Sequence, residues 1–147
     1  MAVRSGSSTR YDIKYHFVWI PKYRKRLLTP VRQAYLQYLL KRVAAEWDLV
    51  IVEMDVMEDH VHLFVEASPR HSPARIMNVI KSITAREMFA KFPEMRRSLW
   101  GGHLWAEGYY MATVGDKVTT EVVRRYIRDQ RKHNPSLHDD AAHDAPP

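Results

Sequence analysis

The chain has 147 residues, 46% of them hydrophobic, which is enough for one ordinary core and too few for two comfortable ones. Lysine and arginine outnumber aspartate and glutamate by 23 to 17, and the pI near 9.6 favours an anionic partner, nucleic acid ahead of membrane. With no cysteine there can be no disulfide framework, thiolate zinc site or cysteine nucleophile, so any metal must be held by His, carboxylate or amide groups, and a reducing compartment is suited.

Residues 1–10 are polar and Ser-rich without an apolar run, so they read as a disordered N-terminus and as neither signal peptide nor membrane span. A soluble, cytoplasmic protein is expected. From Tyr11 to Ile20 the chain alternates, with Tyr11, Ile13, Tyr15, Phe17 and Trp19 on one face and Asp12, Lys14 and His16 on the other, which predicts a strand with one buried face. A basic loop, Pro21 to Arg26, leads to Thr29-Pro30, a side-chain cap followed by the proline that a first helical turn tolerates. Val31, Tyr35, Leu36, Leu39, Leu40, Val43 and Trp47 then recur at helical spacing.

Leu49 to Val56 is rich in β-branched residues and predicts a second strand, joined through Glu58-Asp59 to a third from His60 to Ala67, the two forming a hairpin. Ser72-Pro73 repeats the helix-start signal, and Ile76, Ile80, Ile83 and Met88 give an apolar stripe ending before Pro93. A last strand is predicted within Tyr109 to Val114. Thr119 or Thr120 caps a final helix to about Lys132, with Arg128, Arg131 and Lys132 where the helix dipole favours cations, and 134–147 reads as a disordered tail.

The order strand, helix, strand, strand, helix, strand, helix is that of an α+β, ferredoxin-like (split βαβ, RRM-like) domain over 11–133. Two helices cover one face of a four-stranded antiparallel sheet, and a C-terminal helix is added. The other sheet face is expected to stay open to a ligand, nucleic acid or second subunit.

On the third strand the two-residue period sets His60, His62, Phe64 and Glu66 on one face and Val61, Leu63 and Val65 on the other. With the apolar trio toward the helices, His60 and His62 project as neighbours that can share a metal ion, or are simply two partly exposed strand histidines. Tyr126 and Gln130, four residues apart, occupy one face of the last helix. Gln130 offers a neutral oxygen ligand; Tyr126 is either chemically active or packs its ring on the sheet. Two imidazoles and an amide oxygen, completed by phosphate or water, suit Mg²⁺ or Mn²⁺ better than structural zinc. Lys22-Tyr23-Arg24 combines charge with an aromatic ring, the composition of single-stranded nucleic acid sites, although a solvated loop gives the same pattern.

Together these residues resemble the single-tyrosine HUH transposases of the insertion-sequence 200/605 family. The likeness spans about Tyr11 to His133 and rests on Trp19-Ile20-Pro21-Lys22-Tyr23-Arg24, His60-Val61-His62, Leu99-Trp100-Gly101-Gly102 with Trp105 and Tyr109, and Tyr126-Ile127-Arg128-Asp129-Gln130. The resemblance implies that His60, His62 and Gln130 are ligands of a divalent metal, Mg²⁺ or Mn²⁺, and that Tyr126 is the nucleophile. It further implies ATP-independent cleavage and rejoining of single-stranded DNA through a 5′-phosphotyrosine, recognition of hairpins at element ends, and a homodimer whose active sites can be shared between subunits. Candidate DNA contacts are Lys14, Lys22, Tyr23, Arg24, Lys81 and Arg86. Two other readings compete: a relaxase or replication initiator, usually larger, and a ferredoxin-like binding module without catalysis, which needs no divalent metal and forms no covalent adduct.

Overall fold

The computed structural model describes residues 3–6, 9–99 and 102–113. Within them, β1 (Arg4–Ser5), β2 (Arg10–Tyr11), β3 (Ile13–Trp19), α1 (Pro30–Glu46), β4 (Val50–Val56), β5 (Val61–Ala67), α2 (Pro73–Lys91) and β6 (Tyr110–Thr113) follow in order. Short 3₁₀ segments occupy Lys22–Arg24 and Pro93–Ser98. The main sheet has the order β4-β5-β3-β6 with every pairing antiparallel, which is the expected ferredoxin-like arrangement. No helix among the described residues is long and apolar enough to cross a membrane.

The helix starts follow from their sequences, with one difference between them. At α2, Ser72 Oγ accepts from the Arg75 amide at 3.1 Å and Pro73 occupies the first turn. At α1 the proline is in place, but Thr29 makes no side-chain cap bond; the entry is held instead by Gln33 Nε2 donating to the Leu28 carbonyl at 2.7 Å. Leu36, Leu39, Leu40 and Val43 of α1 and Ile76, Met77, Ile80 and Met88 of α2 pack with Phe17, Trp19, Val61, Leu63 and Val65 in one core. Each such side chain contributes about 1.5–3 kcal/mol on burial.

The N-terminus departs from expectation. Arg4–Ser5 pairs antiparallel with Arg10–Tyr11, and Arg4 bonds Asp48 at 2.6 Å while its guanidinium lies 5.4 Å from the Tyr11 ring centre. A polar segment was expected to lack partners, but Asp48, at the end of α1, supplies one. The predicted final helix and the 134–147 tail lie outside the described residues, as do Trp100 and Gly101.

Candidate active site

Alternation works on β5 as the sequence implies. Val61, Leu63, Val65 and Ala67 enter the core, so His62, Phe64 and Glu66 point to the opposite sheet face. Register then fixes their neighbours, because directly opposed residues share a face. Val18 lies opposite His62, His16 opposite Phe64 and Lys14 opposite Glu66 on β3. Asp55 opposes His62 on β4, and Tyr110 opposes Val18 on β6.

This face was expected to be open, and its centre is not, although Tyr110 on β6 stays exposed. His16 is 2% exposed, His62 1%, Lys14 2%, Phe64 0% and Glu66 7%. Strand alternation tells which face a residue occupies but not what lies over that face.

His60 and His62 come together as predicted, their ring centroids 4.9 Å apart and nearly perpendicular. They are held by different means. Asp59, 1% exposed, places Oδ1 2.7 Å from Nδ1 of His60. Both ring nitrogens of His62 are buried and make no hydrogen bond; its ring is stacked by His16, and Tyr110 meets the His16 ring edge-on at 5.6 Å. Burial, followed by the nearby His60 and His16, lowers the His62 pKa from 6.5 to about 3, and burial lowers that of His16 to about 4. Both rings are therefore neutral near pH 7, the form in which imidazole donates a lone pair to a metal. Among the described residues no three His, Cys, Asp or Glu side chains are grouped to hold an ion. Within the described residues the two imidazoles thus have no third ligand of these kinds.

Sequence reasoning passed over His16 and Asp59. The alternation placed His16 on the right face, but its contact with His62 depends on the β3–β5 register; Asp59 adjoins the His-x-His motif and was read only as part of a turn.

The expected DNA contacts divide. Lys14 is buried with its ammonium against Asp12, so it does not present its charge to solvent. Its position on the polar face was read correctly; the burial of that face is what removes it from the set. Lys22, Tyr23 and Arg24 are half-buried in the 3₁₀ turn. Tyr23 and Arg24 have φ of 62° and 51°, a left-handed backbone that costs a non-glycine residue energy and that proteins keep at functional turns. The turn is tied down by Lys22 N donating to the Leu104 carbonyl at 2.8 Å and Ala106 N to Ile20 at 3.0 Å. Arg86 is exposed, whereas the Lys81 ammonium bonds the carbonyls of Ala106 and Gly108 at 2.7 and 2.9 Å. Tyr126 and Gln130 are outside the described residues.

With that geometry in hand, the comparison with known proteins is specific. The family described as "Transposase IS200 like" matches residues 9–130. The chain belongs to the IS200-like transposases. It is 32% identical over 130 residues to the ISDra2 transposase TnpA of Deinococcus radiodurans, covering 88% of this chain and 92% of that one. To the transposase for insertion sequence element IS200 of Salmonella typhimurium it is 29% identical over 128 residues, covering 86% and 82%. A crystal structure of a transposase from Deinococcus radiodurans superimposes with a TM-score of 0.71 at 32% identity, over 86% of this chain and 97% of the other. A REP-associated tyrosine transposase bound to a REP hairpin shares the fold, with a TM-score of 0.58 at 16% identity over 88% and 75%. The transposase thus carries its two motif histidines at the start of the central β5 strand, His60 just before it and His62 within it, with His16 and Asp59 packed around them.

Proposed function

We propose that this transposase cleaves and rejoins single-stranded DNA at insertion-sequence ends, with Tyr126 as nucleophile and His60, His62 and Gln130 as ligands of Mg²⁺ or Mn²⁺. One observation carries the metal assignment: a buried, neutral imidazole with both nitrogens unbonded beside a second imidazole anchored by a carboxylate. Leaving a buried polar atom without a partner costs roughly 1–3 kcal/mol, and ligation removes that cost. The Gln130 amide oxygen, a neutral donor, is the third protein ligand in this reading.

When bound, the ion supplies charge that polarises a phosphodiester oxygen and favours in-line attack. The protein supplies the rest. The Tyr126 oxygen attacks phosphorus and displaces the 3′ oxygen, giving a 5′-phosphotyrosine and a free 3′ hydroxyl; attack by a different 3′ hydroxyl reverses the step. One phosphodiester is exchanged for another, so no ATP is consumed.

Hairpin DNA is the proposed partner, with Lys22, Tyr23, Arg24 and Arg86 toward its backbone; the hairpin held by the structurally similar REP-associated transposase supports this reading. A homodimer is proposed as well, in which the helix of one subunit can complete the site of the other. Tyr110 and Met111 on the edge strand β6, together with Tyr109, are exposed at 51%, 38% and 37%, an apolar edge suited to a second copy.

The deciding experiment incubates the protein with single-stranded DNA from the gene's own flanks, with and without Mg²⁺ or Mn²⁺, followed by a denaturing gel. A covalent adduct that needs metal and disappears in Tyr126→Phe is the expected result. Hairpin binding without an adduct at any strand position would move the reading to the non-catalytic binding module.

A further inference from the structure

Asp59 sits in the turn between β4 and β5, and that turn is pinned from both sides. Met57 N donates to the His60 carbonyl at 2.9 Å, and Leu28 N donates to Glu58 at 3.0 Å. The carboxylate therefore has a fixed place, 1% exposed, with Oδ1 2.7 Å from His60 Nδ1. A carboxylate at that distance only accepts, so in the neutral ring the proton must be on Nδ1.

We propose that Asp59 is a positioning residue for the metal ligand His60: it holds the Nδ1–H tautomer and the ring direction, leaving the Nε2 lone pair as the donor. Without such an acceptor a neutral imidazole can place its proton on Nε2, and that tautomer cannot ligate through Nε2. The neighbouring ligand has no equivalent. His62 makes no hydrogen bond at either nitrogen and takes its orientation from the stacked ring of His16. One ligand is oriented by a charge-assisted bond and the other by packing, so of the two histidines Asp59 orients His60. The proposal rests on the reading above that His60 binds a divalent ion.

The test uses full-length protein labelled with ¹⁵N-histidine. Long-range ¹H–¹⁵N spectra of the metal-free protein report which nitrogen of His60 carries the proton, and titration with Mn²⁺ followed by electron paramagnetic resonance reports affinity. The wild type is expected to show Nδ1–H. Asp59→Ala should shift His60 toward Nε2–H and weaken Mn²⁺ binding about 10–100-fold. Asp59→Asn, whose amide oxygen accepts the same proton, should restore the tautomer and most of the affinity, and it guards against a folding defect in the alanine variant. An Nε2–H tautomer in the wild type, or wild-type tautomer and affinity in Asp59→Ala, overturns the proposal. A wild type that binds no Mn²⁺ overturns the metal reading itself, and this proposal with it.

Discussion

The imidazole of His16 lies nearly parallel to that of His62, 15° between planes and 6.0 Å between centroids, with both side chains shut away from water. The pair links β3 to β5 at the candidate site. It also makes the folded state sensitive to acid.

Burial holds the His16 pKa at about 4, and burial with the neighbouring histidines holds that of His62 at about 3, both below the usual 6.5. In the unfolded chain both rings bind protons below pH 6.5; in the folded protein they do not. The unfolded state therefore carries more protons, and stability rises with pH in that window. The contribution is complete above about pH 7 and falls as pH drops through 6.5 toward 4, by about 1.4 kcal/mol per pH unit for each histidine. Urea unfolding of the metal-free protein between pH 5 and 7 measures the slope, and His16→Phe, which keeps a ring in the stack, should remove about half of it. A stability curve flat across that range would refute the assignment.

Lys81 and Arg86 were paired by sequence as DNA contacts, and the structure separates them. Because Lys81 clamps the carbonyls of Ala106 and Gly108 ahead of β6, Lys81→Met should lower the unfolding free energy by about 1.5–3 kcal/mol, the range for bonds to a charged donor. Arg86→Ala should leave stability within about 0.5 kcal/mol and reduce the salt slope of hairpin binding by about one ion. Denaturant melts and binding titrations in increasing KCl check both. The reverse pattern would show that Lys81 faces phosphate.

The left-handed turn at Tyr23 and Arg24 keeps its strain for a purpose if it touches DNA. The double variant Lys22→Ala/Arg24→Ala should bind hairpin DNA more weakly and lower the salt slope by about two. Unchanged affinity and salt dependence would remove the turn from the interface.

Trp105 closes the core at the other side of α2, its Nε1 donating to Thr84 Oγ1 at 2.9 Å while Thr84 donates to the Ile80 carbonyl at 2.7 Å. Trp105→Phe deletes the donor and leaves space, so a loss of about 1–3 kcal/mol is expected. Thermal and urea melts read it directly; an unchanged midpoint would mean that the segment before β6 is held without this bond.

Much of the architecture was legible because periodicity and start signals are local. Ser72-Pro73 begins α2 where the sequence placed it, and the β4–β5 hairpin carries the His-x-His motif with its apolar residues toward the core. The N-terminal pairing was missed because it depends on Asp48, whose distance in sequence hides its contact with Arg4. Lys14 was misread for a similar reason: alternation gave its face, and tertiary packing gave its burial.

By itself, then, the sequence determined the strands of the main sheet and its two helices, the face on which His60 and His62 stand, the charge that favours an anionic partner, and a motif set pointing to the family whose model matches residues 9–130. All of these depend on spacing along the chain or on composition. The His16–His62 stack, the burial of the histidine face, the placement of Asp59 against Nδ1 of His60 and the turning of Lys81 onto backbone carbonyls were decided only in three dimensions. The reason is that a pleat fixes direction, whereas register, turn geometry and the packing of distant segments fix who meets whom and which groups lose their water.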